Sequence, residues 1–514
     1  MNSILFRTGT VNKVFVVACA IASVAWGRVQ LMTKDSTVDL GISSAGWLQS
    51  GQIVDGYSLG QQEIHHQWLQ QSFLDLSVDA TISERIRIAA GLEGEMFLNV
   101  PKGGATSQQF YIWRVNSSFI VDKAYGSYLW GDTASPFLSV TFGRFPYKYD
   151  PDARNLGEYL FRSGTYPAYL ITNFDQPFAR LTGLKLSSDL FGNSFGKLHQ
   201  DLMLTFETDI PPYYDASLSY IADYDVGKIF SAGLGVEFAH LISVDESQTT
   251  PISTNTRYTV GTDTTSHYYS SRGIKLMGRM SFDPKPFFTS SFFGKEDLKM
   301  YTEAAILGVQ NYPANDSINS TNSNHNNIWG YDSLLNKIPV LLGFDWPTHP
   351  LLSYTLIPLA AIIGLDKNEF DKHTAALSSA AIGGGIIAGA GTWLLEKYFK
   401  TNLHLDLLAV EVQWYGCPYP NNYAKDLGKG NLQSMPIPDF YDRPNYGYAY
   451  EDNWKWSVYA KKMFMHDHLG MILQVARDHT RLESLLDEAK YNELEESLQE
   501  KRMWSWMAKV VAQF

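Results

Sequence analysis

Several stretches of this chain place full charges of both signs on one face of a strand whose other face is uniformly apolar. In "SERIRIAAGLEGEMF", Ile86, Ile88, Ala90, Leu92 and Met96 alternate with Arg85, Arg87, Glu93 and Glu95. Side chains in a strand point to opposite faces with period two, so one face is greasy and the other carries charge. A packed core rejects such charges, whereas a watery lumen accepts them. The pattern recurs. Trp68, Leu74, Leu76, Val78 and Ala80 oppose Gln71, Asp75 and Asp79; Ile274, Leu276, Met280 and Phe282 oppose Lys275 and Arg279; Trp454, Trp456, Val458 and Ala460 oppose Lys455, Ser457 and Lys461. These runs are about as long as the ~9–11 tilted residues that cross a bilayer as a strand. Trp414, Trp454, Trp456, Trp504 and Trp506 fall at strand ends, where an interfacial aromatic girdle would lie. A large soluble β-sandwich or propeller has the same period but turns its polar faces outward.

The two termini agree with export. Arg7 and Lys13 precede the apolar run "VFVVACAIASVAW", with Ser23 and Ala25 where a signal peptidase acts, so residues 1–27 read as a cleaved signal peptide. The alternative is a lipoprotein box acylated at Cys19. If the leader is removed, Cys417 stands alone and no internal disulfide is possible. Losing Arg7 and Lys13 takes the net charge from -12 to -14, which argues against a nucleic-acid or anionic-lipid partner. There is no Pro/Gly/Ser linker and no fixed-period repeat, so residues 28–514 are expected to form one domain. Its 40 glycines, 30 tyrosines and 13 tryptophans suit many strands and turns rather than membrane helices.

Connections provide a second constraint, because an outer-membrane barrel alternates short periplasmic turns with long external loops. Working back from a last strand at 502–514, residues 480–501 are external, the turn at 466–468 periplasmic, and the loops near 416–452 and 242–270 external. The Asn/Ser-rich stretch "ANDSINSTNSNHNN" is external too, while "DVGK" at 225–228 and "ISER" at 82–85 are tight periplasmic turns. Continuing to the start gives about 16 strands, an even number that returns both termini to one side. The expected fold class is therefore all-β: a transmembrane, antiparallel, up-and-down β-barrel.

The final strand, "RMWSWMAKVVAQF", carries Trp504 and Trp506 outward and stops at Phe514. With the leader and the loop alternation, it resembles the C-terminal assembly signal of Gram-negative outer-membrane β-barrels of the porin-like kind. The resemblance implies lipid and the barrel assembly machinery as partners, and trimers are common among porins. It further implies passive diffusion of small hydrophilic solutes, saccharides among the candidates. Selectivity would come from an inward-folded loop, and the stretch at 146–176 is the candidate. It lies on the external side yet mixes apolar and aromatic residues with Asp152, Arg154, Glu158 and Arg162. Opposed charges there could make the transverse field of a pore constriction; the competing reading is a loop folded over the rim with its charges paired among themselves. Tyr147, Tyr149, Tyr159, Tyr166 and Tyr169 could stack on sugar rings or simply pack.

Two other classes remain. The large external loops, rich in Tyr, Pro, Asn and Thr, suit a surface-binding or adhesion scaffold. For an enzyme the sequence offers no G-x-S-x-G elbow and no H-E-x-x-H, while His466, His468, His65 and His66 lack a further ligand at diagnostic spacing. No catalytic role, metal or cofactor is therefore expected.

One segment breaks the pattern. Where the alternation demands a short turn after "IPVLLGFDW", about fifty residues intervene, and Thr374–Leu395 contains no charge over 22 residues. That length would span a membrane as a helix, and Gly385 with Gly389 forms G-x-x-x-G. Gly383, Gly384 and Gly385 disfavour a helix, and one span would place its ends on opposite sides. The expectation is an apolar insert at 350–400, a helical hairpin against the inner leaflet or in the lumen, with an added β-hairpin as the alternative.

Overall fold

A computed structural model describes residues 27–32, 37–57, 63–99, 116–132, 136–161, 179–193, 196–206, 216–239, 273–288, 292–306, 338–349, 404–415, 454–465, 467–477 and 504–513, with short pieces between them. The strands are β1 (Gly27–Met32), β2 (Thr37–Tyr57), β3 (Glu63–Ile82), β4 (Ile86–Asn99), β5 (Asn116–Gly131), β6 (Pro136–Tyr147), β7 (Ala179–Asn193), β8 (Gly196–Phe206), β9 (Ala216–Val226) and β10 (Phe230–Ala239). Two short strands, β11 (Arg257–Tyr258) and β12 (His267–Tyr268), pair within the next loop. Then follow β13 (Gly273–Phe282), β14 (Met300–Ile306), β15 (Pro339–Asp345), β16 (Leu407–Tyr415), β17 (Trp454–Phe464) and β18 (Leu469–Arg477). A second small loop hairpin, β19 (Arg481–Glu483) with β20 (Leu494–Glu496), precedes the last strand, β21 (Trp504–Gln513).

The main sheet has seventeen strands, of which sixteen close a ring. Each is antiparallel to the next from β2 to β10 and from β10 through β13 to β18; β18 then pairs with β21, and β21 with β2. A closed ring leaves no free sheet edge. The seventeenth strand was not anticipated. β1 lies along Thr37–Ile42 of β2, on the edge whose upper part, Ala45–Asp55, is taken by β21.

Face assignment follows the alternation. On β21, Ser505, Met507 and Lys509 are buried on the inner side, while Trp504, Trp506, Ala508 and Val510 face out. Trp506 Nε1 donates to Gln52 Oε1 of β2 at 3.4 Å, across the seam that closes the ring. Large apolar side chains are exposed around the outside, among them Leu92, Val121, Phe142, Leu204, Leu234, Met280, Leu342 and Met471. An apolar outer wall of this extent is not a soluble surface, and the β-sandwich alternative falls with it.

Connections alternate as expected. Turns at 83–85, 227–229 and 467–468 lie at one end of the barrel, where Gln513 N–H donates to the His468 carbonyl at 2.9 Å, and the connection after β6 lies at the other. In the 83–85 turn, Ser83 and Glu84 both have positive φ (50° and 61°), the primed geometry that matches strand twist. Two connections at the turn end are long: 283–299, with a 3-10 helix at Lys285–Phe287, and the apolar insert. The helical hairpin expected in that insert is not shown. Ser353, residues 389–392, Leu394 and Tyr398 are helical, and the rest lies outside the described residues. No described helix is long and apolar enough to cross a membrane.

Candidate functional site

The connection that leaves β6 turns into the barrel. Its described part, residues 148–161, buries Tyr149, Ala153, Leu156, Tyr159 and Leu160 against wall residues Met203, Ile221, Met277, Tyr301 and Leu341. Burying a loop requires partners for its backbone N–H groups, since an unpaired buried donor costs about as much as a lost hydrogen bond. Wall carboxylates supply them. Glu411 on β16 accepts from the N–H groups of Arg154 at 2.5 Å and of Asn155 and Leu156 at 2.9 Å each. Glu303 on β14 accepts from Glu158 N–H at 2.7 Å and Tyr159 N–H at 2.9 Å, and from the Tyr149 hydroxyl at 2.5 Å. Between them Asp345, at the end of β15, sits 3.5 Å from the Arg154 guanidinium. Three neighbouring strands thus present three carboxylates to one loop.

Two glycines make the approach possible. Gly157 has φ +91°, and a Cβ there would lie 2.8 Å from Leu341 Cδ2 and 2.9 Å from Glu303 Oε2. On β15, Gly343 lies between Tyr301 and Glu411 in the sheet register, and a Cβ would fall inside the Tyr301 ring. The bare position lets that ring lie across β15, where its hydroxyl donates to Glu411 at 2.9 Å.

The return of the same connection is anchored separately. Arg180, near the start of β7, pairs with Glu93 and with Asp122, the latter at 2.9 Å. Asp122 is the extra residue of a bulge, because Gly91 pairs with Lys123 and Leu92 with Val121. The bulge lets Asp122 turn inward beside Lys123 while Val121 stays outward.

The four loop charges expected at a constriction are placed differently from one another. Asp152 accepts from Lys299 Nζ at 2.8 Å, and Arg154 lies 3.7 Å from Glu296 as well as near Asp345. Both line a cavity. Glu158 does not face water: it is 2 % exposed and accepts from the N–H groups of Tyr149 and Asp150 within its own loop. Arg162, with Tyr166 and Tyr169, lies outside the described residues, as does Phe514. Tyr147, Tyr149 and Tyr159 are buried, their hydroxyls donating to Asp201, Glu303 and Gln413, so these rings pack rather than present a free face.

Below the loop, toward the turn end, the cavity measures about 1140 Å³. Lys148, Lys197, Lys228, Arg279, Lys295, Lys299 and Lys461 share its lining with Asp201, Asp223, Asp225, Asp283, Glu296, Asp406 and Asp467. Neither sign dominates, and many charges are paired, as Arg279 with Asp223 at 2.8 Å. Burial alone would raise the Glu296 carboxyl, but Lys299, with Arg154 adding, holds it below its ordinary value. Burial would likewise lower the Lys299 ammonium, but Asp152 and Glu296 raise it. No described group of three or more His, Cys, Asp or Glu side chains has the geometry of a metal site.

Sequence reasoning did not single out Glu303, Asp345, Glu411, Lys299 or Glu296. The available signal was a lone acid at an inward position of an otherwise apolar strand, as in "MYTEAAI", "PVLLGFD" and "LLAVEVQWY".

An even, closed antiparallel ring with an apolar exterior and a charged, loop-narrowed interior defines a porin-like barrel. No family model and no curated protein matches the chain. Among solved structures, the chain is similar to OprB of Pseudomonas putida, at 9% identity and TM-score 0.42, covering 93% of this chain and 94% of that one. It is also similar to engineered variants of the Rhodopseudomonas blastica porin; one triple mutant has 7% identity and TM-score 0.36, with 92% and 100% covered.

Proposed function

We propose that this protein is an outer-membrane channel of a Gram-negative cell through which small hydrophilic solutes diffuse passively. The observation that carries the reading is the inward loop, held by Glu303 and Glu411 above a cavity lined by both signs of charge. A barrel of about 16 strands encloses an aqueous lumen, and a loop docked inside it sets the narrowest passage. Asp152 and Arg154, with Lys299 and Glu296, are the charges placed to act on a passing ion. The leader at 1–27 delivers the chain to the envelope, and the assembly machinery recognises the strand with Trp504, Trp506 and Phe514. Self-association and a saccharide solute are compatible with this reading.

Planar-bilayer recording tests it. The wild-type protein conducts, and Glu303→Ala with Glu411→Ala, which removes the acceptors for five loop N–H groups, conducts more per channel. Equal conductance would show that the loop is not the constriction. A wild-type protein that inserts but passes no ions would favour the surface-binding scaffold.

A further inference from the structure

The long connection at 283–299 leaves phenylalanines exposed. Phe287 is 66 % exposed, Phe288 52 % and Phe292 43 %. They are neither scattered nor loose. The Phe292 and Phe293 rings meet edge-on at 5.3 Å, Phe288 lies 6.1 Å from Phe293, and Phe292 stacks on His349 at 4.0 Å. The backbone beneath is tied down. Asp283 N–H donates to the Ile229 carbonyl at 2.8 Å, Lys285 Nζ to the Asp297 carbonyl at 2.5 Å, and Gly294 and Thr348 N–H groups both to Asp297 Oδ2. A segment this well bonded has no internal reason to leave three aromatic rings in water.

Phe287 also continues the outer wall. Phe287 lies 6.4 Å from Phe282, the last outward residue of β13, and Met280 on β13 and Met300 on β14 flank it, both exposed. At the same end, Tyr128 and Trp130 on β5, Phe137 on β6, Tyr224 on β9 and Phe230 on β10 are exposed. Lys295, which lines the cavity, is 94% exposed.

We infer that residues 283–288 and 292–293 of the connection form a membrane-surface anchor: Phe287, Phe288 and Phe292 seat in the headgroup–acyl boundary of the leaflet nearer the turn end, with Lys295 in water. Aromatic and apolar groups on a structured element bind that boundary through buried area, and basic groups stay on its wet side. The anchor would lengthen the apolar band beside β13 and β14 and bias the barrel's tilt. The occupant is lipid rather than a protein because the patch is continuous with the apolar strand face. This inference rests on the membrane reading above.

The test uses single cysteines in a Cys19→Ser, Cys417→Ser background, each carrying an environment-sensitive fluorophore, with the full protein refolded into phosphatidylcholine vesicles. Positions are Phe287→Cys, Phe288→Cys, Leu234→Cys in mid-strand and Lys295→Cys. Quenching by lipid-bound nitroxide is compared with quenching by aqueous iodide. Labels at 287 and 288 should be quenched by nitroxide at least about twofold more than the label at 295, and resist iodide, as groups seated at the acyl boundary do. If the label at 234 reports lipid while those at 287 and 288 follow iodide, the anchor is wrong and the barrel remains a membrane protein. If 287 and 288 are shielded from both quenchers, protein covers the patch and the lipid assignment is overturned. If 234 itself follows iodide, the membrane reading fails, and this inference with it.

Discussion

Gly157 shows how much of the site rests on single atoms. At φ +91°, with Leu341 and Glu303 against the space a Cβ would fill, Gly157→Val strains the backbone and displaces the wall contacts together. A non-glycine residue forced into such a conformation costs on the order of 1–3 kcal/mol. The ring of strands is untouched by this, so the expected result is a folded, heat-modifiable barrel whose 148–161 segment becomes open to protease. Unchanged protection would show that the loop docks without this close approach. The ion pairs at the loop foot give a pH signature of defined sign. The Glu296 carboxyl is held below its ordinary value, so its contribution is complete above the usual carboxylate range and fades as pH falls through the lowered value. Lys299 is raised, so its contribution is complete below the usual lysine range and is lost only as pH rises through the raised value. Through this pair, loop protection should weaken on acidification, and Glu296→Gln should remove part of the acid-side change. Protection that is as acid-sensitive in the variant as in the wild type would assign the effect elsewhere.

Among the elements, the β3–β4 hairpin carries local backbone strain. Ser83 and Glu84 both occupy left-handed conformations in a turn whose Arg85 N–H donates to the Ile82 carbonyl at 3.1 Å. Asn-Gly suits that turn type, and the substitution removes a steric penalty. Ser83→Asn with Glu84→Gly should raise resistance to urea unfolding by roughly 0.5–1 kcal/mol. Loss of resistance would mean that one of the two side chains makes a contact worth more than the strain. The tight turns and strand faces were readable from local chemistry, since "ISER" and "DVGK" end periodic runs. The 283–299 connection was not, because its hydrogen bonds run to Ile229 and Thr348, on other elements.

For the whole molecule, the decisive quantity is what lies against the outer wall. Leu234, 71 % exposed at the middle of β10, faces that medium directly. If the medium is lipid, Leu234→Arg should destabilise the refolded barrel by about 2–4 kcal/mol at the bilayer midplane. On a water-facing wall the same change would be nearly neutral, so folding titrations in vesicles discriminate. Which side of each strand faces out is legible in the amino-acid sequence, because parity is a local property: charges at every second position of "RIRIAAGLEGE" specify a wet face wherever the strand ends up. Strand number and loop alternation followed from the same bookkeeping. The docking of the 148–161 loop on the wall did not. Glu303 and Glu411 bond loop amides 145 and 257 residues away in the chain, and no periodicity encodes a contact at that separation. Asp152, Arg154 and Glu158 were visible as charges, yet two line the cavity and one caps its own loop, because only ring closure brings β14, β15 and β16 to face a loop that leaves β6.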